Sequence, residues 1–223
     1  CIFYGGPGCG KTTLANIIAT TSNADFIKLN AVSSGVQDAK KAIDDATKNL
    51  QLYNRKTYLL LDECHRWNKA QSDCVLEAIE KGQIIFIGST TENPFVSMTK
   101  AIVSRCRIFE FKKIDDKDII KLLNRALQDK NKGLGNYNVK ITEDALKHIA
   151  FAANGDVRNA LNSLELAVLS TDPDTIGVIN VDLDVARQSS QKQVLSIDDS
   201  LYYDMISAFI KSIRGSDADA AVY

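Results

Sequence analysis

Eight residues near the start of the chain have the types and spacing of a loop that holds phosphate groups. Residues 5–12 read Gly-Gly-Pro-Gly-Cys-Gly-Lys-Thr, between an apolar run and a helical pattern. Glycines let backbone N–H groups curl around a β-phosphate, and a helix N-terminus adds partial positive charge. Lys11 then reaches the β- and γ-phosphates and Thr12 offers a magnesium ligand, so the pattern predicts a site for ATP and Mg²⁺. The predicted nucleotide-binding residues of this loop are Gly5, Gly6, Pro7, Gly8, Cys9, Gly10, Lys11, Thr12 and Thr13.

Two carboxylates follow a second apolar run, at residues 58–63, which reads Tyr-Leu-Leu-Leu-Asp-Glu. Ligands of open α/β sheets bind beyond the carboxyl ends of the strands, where both side chains would lie. Asp62 is predicted to be part of the nucleotide site, where it would hold magnesium through a water molecule. Glu63, one residue further, is predicted to orient and polarise the water that attacks the γ-phosphate.

Three more polar residues are candidates for catalysis. Thr91 follows the apolar run 84–88 and can hydrogen-bond an attacking water or a phosphate oxygen. Arg105 precedes the last predicted strand, and Arg158 lies two residues after Asp156, a typical helix N-cap. The macrodipole disfavours a cation in a first helical turn unless an anion is near, which favours a ligand for Arg158. The alternatives are that Thr91 is an ordinary turn residue and that the two arginines form surface salt bridges.

Hydrophobic periodicity predicts a parallel sheet followed by helices. Short β-rich runs alternate with helical patterns up to residue 111, and beyond Asp115 the period is helical only. Asn68 and Gln71 form a capping box for the third helix, and Gly82 stops that helix. The predicted strands are 1–5, 25–30, 57–62, 83–88 and 107–111. The predicted helices are 11–22, 36–52, 69–81, 115–130, 142–153, 157–169 and 199–213.

The fold class that follows is α/β, a P-loop parallel sheet with flanking helices, followed by a small all-α domain. We expect the P-loop α/β domain at 1–113 and the small helical domain at 114–185. Residues 186–223 are expected to begin a further helical region. The chain starts on a strand without an initiator Met and stops within a helical pattern, so we expect it to be part of a longer protein.

Composition excludes several classes of function. The 223 residues carry a net charge of −1, so no global basic field attracts nucleic acid and any DNA binding must be local or built by assembly. Five cysteines without a C-x-x-C pair argue against a disulfide framework and a zinc site. No apolar stretch approaches the roughly 18 residues needed to span a bilayer. The sequence predicts a protein of the reducing cytoplasm, with no membrane partner.

Taken in order, these elements resemble an AAA+ ATPase. The resemblance makes residues 5–12 the Walker A motif, residues 58–63 the Walker B motif and Thr91 the sensor 1 residue. It likewise implies that Arg105 is an arginine finger, acting in the neighbouring subunit, and that Arg158 is the sensor 2 residue. The stretches 62–71, 88–94 and 206–217 are similar to one branch, the RarA/MgsA family that includes the Werner helicase-interacting protein.

That resemblance implies a DNA-stimulated ATPase that acts at stalled replication forks and gaps. Its implied partners are forked, gapped or single-stranded DNA, single-strand-binding protein, and further copies of itself in a tetramer or larger ring. Its implied place is the cytoplasm, at the nucleoid in a bacterium. The sequence departs from the family at Gly6, where Pro is usual, and at Trp67, where Phe is common. The resemblance further implies that residues 114–185 form a lid domain and that residues 186–223 begin an oligomerisation region. It also implies an N-terminal segment that contacts adenine, which we expect this sequence to lack.

Four other interpretations of the sequence compete with this resemblance. Residues 62–65 also fit the D-E-x-H box of superfamily 2 helicases, which need a second RecA-like domain where this chain predicts helices. A clamp-loader ATPase subunit is favoured by Ser104-Arg105-Cys106 and disfavoured by Glu92-Asn93-Pro94. A small-molecule kinase would need an acceptor pocket, and a nucleotide-binding scaffold would not need Glu63. Cys64 and His65 are expected to have no catalytic role.

Overall fold

The computed structural model describes residues 1–190 and 199–222, with side chains for 1–190 and 205–220. The chain forms two compact units, Cys1–Gln191 and Lys192–Tyr223. The first unit contains both predicted domains, so the boundary after residue 113 stays a prediction. The second contains helices α10 (Asp199–Arg214) and α11 (Ala218–Val222). The predicted region 186–223 lies partly outside the described residues.

A five-stranded parallel sheet forms the centre of the first part of the chain, which confirms the predicted fold class. Its strands are ordered β2-β3-β4-β1-β5, so β1 lies between β4 and β5. The strands are β1 (Ile2–Gly5), β2 (Asp25–Asn30), β3 (Thr57–Asp62), β4 (Ile85–Thr90) and β5 (Ile108–Phe111). The helices that follow them are α1 (Lys11–Thr21), α2 (Val36–Tyr53), α3 (Lys69–Glu80), α4 (Pro94–Ser97) and α5 (Lys100–Val103).

Both faces of this sheet are covered. A parallel strand with helices on both faces is apolar along its whole length, and Leu59, Leu60 and Leu61 of β3 are at most 1% exposed. Leu59 and Leu61 pack in the cluster that includes α2 and α3, whereas Leu60 packs with Ala15 of α1 on the other side. The alternation of side chains along one strand therefore anchors helices on both sides.

The capping box and the glycine stop predicted for α3 are both confirmed. The side chain of Asn68 accepts from the N–H of Gln71 at 3.0 Å, and the Gln71 side chain accepts from the N–H of Asn68 at 2.9 Å. At the other end of α3, Gly82 has a φ of +66°, a conformation that favours glycine after a helix. These caps define where α3 begins and ends, shortly after β3 in the sequence.

The region after β5 is mostly helical, and the expectation that it is entirely helical is wrong. Its helices are α6 (Asp116–Gln128), α7 (Glu143–Ala153), α8 (Val157–Leu169) and α9 (Leu183–Ser189). Two strands, β6 (Val139–Ile141) and β7 (Ile179–Val181), pair in parallel. Each has only three residues, and the partners are about 40 positions apart, so no local pattern announces the pairing. Among the described residues, no helix is long and apolar enough to cross a membrane.

Strand β4 also differs from its prediction, because it runs from Ile85 to Thr90 and not from 83 to 88. Ser89 and Thr90 continue the strand since β1 and β3 flank them: Ser89 pairs with Asp62 and Phe3, and Thr90 with Tyr4. Both residues are buried. A polar pair that looks like a turn in the sequence is thus held in the sheet by neighbours on either side.

The loss of stability caused by truncating a leucine in the helical region should depend on how deeply that leucine is buried. Leu164 in α8 is fully buried, whereas Leu166 on the same helix is 52% exposed. Leu164→Ala should lower the free energy of unfolding by about 2–5 kcal/mol, because it loses buried methyl groups and leaves a cavity. Leu166→Ala should change it by less than about 0.5 kcal/mol. Urea unfolding followed by circular dichroism measures both, and equal losses would contradict the described packing.

Candidate nucleotide-binding site

The phosphate loop connects β1 to α1 and has the backbone shape that glycine permits. Gly8 and Gly10 have φ values of +65° and +91°, and Gly10 is the residue that precedes α1. A Cβ at Gly8 would collide with the carboxylate of Asp156, at the start of α8. The loop therefore lies against the helical region as well as the sheet, and a side chain at position 8 would separate the two.

Lys11 is held inside this loop. Its side chain is buried, and its ammonium donates to the carbonyl oxygens of Gly5 and Gly6, each at 2.8 Å. Among the described residues, no carboxylate forms an ion pair with Lys11. A buried charge is costly unless a counter-charge accompanies it. The loop is therefore fitted to an anion, and a nucleotide's phosphates would supply the missing charge.

Oxygen groups suited to magnesium lie beside the loop. The Thr12 hydroxyl and Asp62 Oδ2 are 3.4 Å apart, although 50 residues separate them in sequence. A hydroxyl and a carboxylate are the hard oxygen ligands that Mg²⁺ takes together with phosphates. No pattern in the sequence predicts Lys28 as part of this site, yet its ammonium lies 3.3 Å from the same Asp62 oxygen. Lys28 and Asp62 are on neighbouring strands, so only the strand order reveals this pair.

Glu63 follows β3 directly, in a left-handed conformation with a φ of +55°. Its side chain is 37% exposed, so the carboxylate can reach water. Glu63 Oε2 lies 3.6 Å from Nε2 of His65, a residue of the 3-10 turn Cys64–Arg66. The other ring nitrogen of His65 lies 2.8 Å from the Thr90 hydroxyl. The end of β3 is thereby connected to the end of β4.

Thr91 lies one residue beyond β4 and is exposed. Its hydroxyl makes no side-chain hydrogen bond within the part of the chain that the structure describes. The neighbouring Thr90 is the buried threonine of this pair, and it bonds to His65. The role of Thr91 toward water or phosphate stays a prediction.

The two candidate arginines lie in different places. Arg105 donates to Glu80 Oε1 at 2.6 Å and to the Ala101 carbonyl at 3.0 Å, so its described contacts lie outside the phosphate loop. Arg158 is exposed in the first turn of α8, and its N–H is capped by Asp156, the residue that approaches Gly8. The structure therefore brings the helix of Arg158 to the loop and holds Arg105 against α3.

The thiol of Cys64, the residue after Glu63, is buried. Burial above all, together with the nearby carboxylates of Glu63 and Asp62, raises the pKa of this thiol to about 12. The thiol is therefore protonated at neutral pH, whereas the thiolate is the reactive form. This geometry supports the expectation that Cys64 has no catalytic role.

Comparison with known proteins identifies the class. Residues 1–114 match the ATPase family associated with various cellular activities (AAA), and residues 135–214 match the AAA C-terminal domain. The chain belongs to this AAA ATPase family, which confirms that it is an ATP hydrolase by class and a nucleotide-binding protein. The second match lies where a helicase of superfamily 2 would carry another RecA-like domain, so that alternative is excluded.

The resemblance to replication-associated recombination proteins is confirmed as well. Over its whole length the chain is 44% identical to replication-associated recombination protein A of Bacillus subtilis and covers 52% of that protein. It is 40% identical to the ATPase WRNIP1 of Dictyostelium discoideum, of which it covers 27%. The chain thus spans about half the length, or less, of these curated relatives. The RuvB Holliday junction branch migration motor of Thermotoga maritima has the same fold, with a TM-score of 0.66 and 25% identity over 95% of this chain and 67% of that one.

Removal of the loop lysine tests the site. Lys11→Ala should abolish ATP binding that is measurable at micromolar protein, because the loop loses the charge that pairs with the β- and γ-phosphates. Titration with a fluorescent ATP analogue measures the affinity. Lys81→Ala is the matched control, since it removes an exposed ammonium paired with Glu77, and should bind normally. Undiminished affinity in Lys11→Ala would refute the assignment.

Proposed function

We propose that this chain is the ATPase part of a DNA-stimulated, replication-associated recombination protein that acts at stalled forks or gaps. The observation that supports this proposal most strongly is the 44% identity along the whole chain to replication-associated recombination protein A. The residues needed for turnover also lie together at one sheet edge, where Thr12 faces Asp62 and Glu63 follows it. A scaffold that only binds nucleotide would have no use for Glu63.

The proposed chemistry assigns one task to each side chain. Lys11 and the backbone N–H groups of residues 5, 6 and 8–13 bind the phosphates. Thr12 and Asp62 would hold Mg²⁺, which would supply positive charge that stabilises the phosphates. Glu63 orients the attacking water and takes up its proton. Thr91 and Arg158 stabilise the γ-phosphate from the end of β4 and from α8.

The DNA partner is proposed from the relatives and from the charge of the chain. The chain carries a net charge of −1, so DNA contacts must be local or shared among subunits. The RuvB neighbour is described as a Holliday junction branch migration motor, which makes a DNA-driven ATPase of this fold chemically reasonable. Forked, gapped or single-stranded DNA, single-strand-binding protein, a ring of this chain and a cytoplasmic or nucleoid location all belong to the proposal.

ATP hydrolysis by the full-length protein tests this function. Titration with single-stranded, gapped and forked DNA should raise turnover severalfold, with duplex DNA as the control ligand. Glu63→Gln keeps size and hydrogen bonding but removes the base, so it should bind ATP and lose turnover by ~10² or more. If none of these DNAs changes turnover, the proposal that the protein acts at forks or gaps is wrong, although the protein remains an ATPase. That result would fit a clamp-loader subunit outside its own assembly.

Arg105 is proposed to act on the nucleotide of a neighbouring subunit. Its described contacts avoid its own phosphate loop, and its side chain is 42% exposed, so it is accessible to another copy. An arginine finger stabilises charge on the transferred phosphoryl group and is worth ~10³ in rate. Arg105→Ala should therefore lose turnover far more than ATP affinity.

Mixing separates this role from a surface ion pair. Lys11→Ala subunits keep an intact Arg105, so adding them to Arg105→Ala subunits should restore part of the turnover. Glu80→Gln is the matched control, because it breaks the Arg105–Glu80 pair and leaves the arginine free. Turnover lost equally in Glu80→Gln, or no recovery at any ratio while subunits demonstrably exchange, would make Arg105 a structural residue.

A further inference from the structure

His65 is a buried imidazole between two carboxylates. Its side chain is 5% exposed, and Nε2 lies 3.6 Å from Glu63 Oε2 and 3.4 Å from Glu92 Oε1. Glu63 and Glu92 are themselves 37% and 51% exposed. An enclosed ring thus lies between two partly exposed carboxylates, one of which is the proposed catalytic base.

The hydrogen bonds around Thr90 set the ring's tautomer. The Thr90 hydroxyl oxygen accepts from the N–H of Glu92 at 3.0 Å. Its own proton can reach two acceptors, His65 Nδ1 at 2.8 Å and the Glu92 carbonyl at 3.5 Å, and we assign it to the nearer one, Nδ1. In a neutral imidazole one nitrogen accepts and the other carries the proton. With Nδ1 as acceptor, the N–H is on Nε2 and faces the two carboxylates.

One N–H donor therefore faces two carboxylate acceptors. Both Nε2 distances exceed the 2.7–3.2 Å of an ordinary N–H···O hydrogen bond. A small movement of either carboxylate toward Nε2 would therefore form one hydrogen bond and leave the other unformed. When Glu63 receives the bond, one carboxylate oxygen is fixed and the other is left to face water. Reduced freedom of a catalytic group raises its effective concentration at the reacting atom.

We propose that His65 is a positioning residue that orients the Glu63 carboxylate, and that Glu92 competes with Glu63 for the His65 Nε2–H donor. This inference rests on the proposed function, in which Glu63 acts on the attacking water. Through His65, Thr90 and Glu92 at the end of β4 are also connected to the base that follows β3. Glu92 then acts as a local restraint on turnover.

Steady-state turnover and ATP affinity of the full-length protein test the positioning role. His65→Ala should lower kcat about tenfold or more, the range for losing a hydrogen bond to a charged group, with ATP affinity unchanged. His65→Gln places an amide N–H near the position of Nε2–H and should recover most of the rate. His65→Ala in a Glu63→Gln background should cause no further loss, because the two residues act as one unit.

Wild-type kcat in His65→Ala, no recovery in His65→Gln, or an equal loss in the Glu63→Gln background would each overturn the positioning role. Glu92→Gln tests the competition: it weakens the rival acceptor and should raise kcat, and only when His65 is present. A kcat no higher than wild type, or a rise that persists in His65→Ala, would overturn the competition. Asp73→Asn is the matched control, an exposed carboxylate on α3 for which we expect no change.

Thermal unfolding gives a readout that does not depend on hydrolysis. The shifts in Tm caused by His65→Ala and Glu63→Gln should be non-additive, as should those of His65→Ala and Glu92→Gln, because contacting residues are coupled. If the wild-type protein shows no ATP turnover, the proposed function fails while these cycles still test the His65 contacts. Additive shifts in both cycles would overturn the inference with the ATPase intact.

Discussion

The order of strands in the parallel sheet is the constraint on which the site depends. Strands β3, β4 and β1 lie side by side and point the same way, so their carboxyl ends meet at one edge. That edge brings together Asp62 after β3, Thr90 at the end of β4 and the phosphate loop after β1. Buried leucines on both sides of β3 fix its position, and the site inherits the rigidity of that packing.

The charged groups at this edge are held by polar contacts within the protein. Lys11 is held by carbonyl oxygens, whereas Asp62 lies between the Thr12 hydroxyl and the Lys28 ammonium. Because Asp62 is 19% exposed and Lys28 is 46% exposed, solvent screens their ion pair.

The helical region brings a carboxylate to the phosphate loop. Asp156 approaches Gly8, while its carboxylate accepts from the N–H groups of Arg158 and Asn159 at 2.9 and 3.1 Å. Those bonds and the helix N-terminus offset the carboxylate's charge, so it can lie near a phosphate-binding loop. The start of α8, the helix that contains Arg158, thus lies beside the loop.

The sequence by itself determined the phosphate loop, the carboxylates after β3, the helix caps and the alternation of strands and helices. Each depends on residues within one turn or strand, where backbone freedom, capping groups and periodicity act locally. Only the tertiary structure decided the β6–β7 pairing, the continuation of β4 to Thr90, the Lys28–Asp62 pair and the enclosure of His65. These features join distant segments through strand order and packing, and no local signal in the sequence specifies which distant partners will meet.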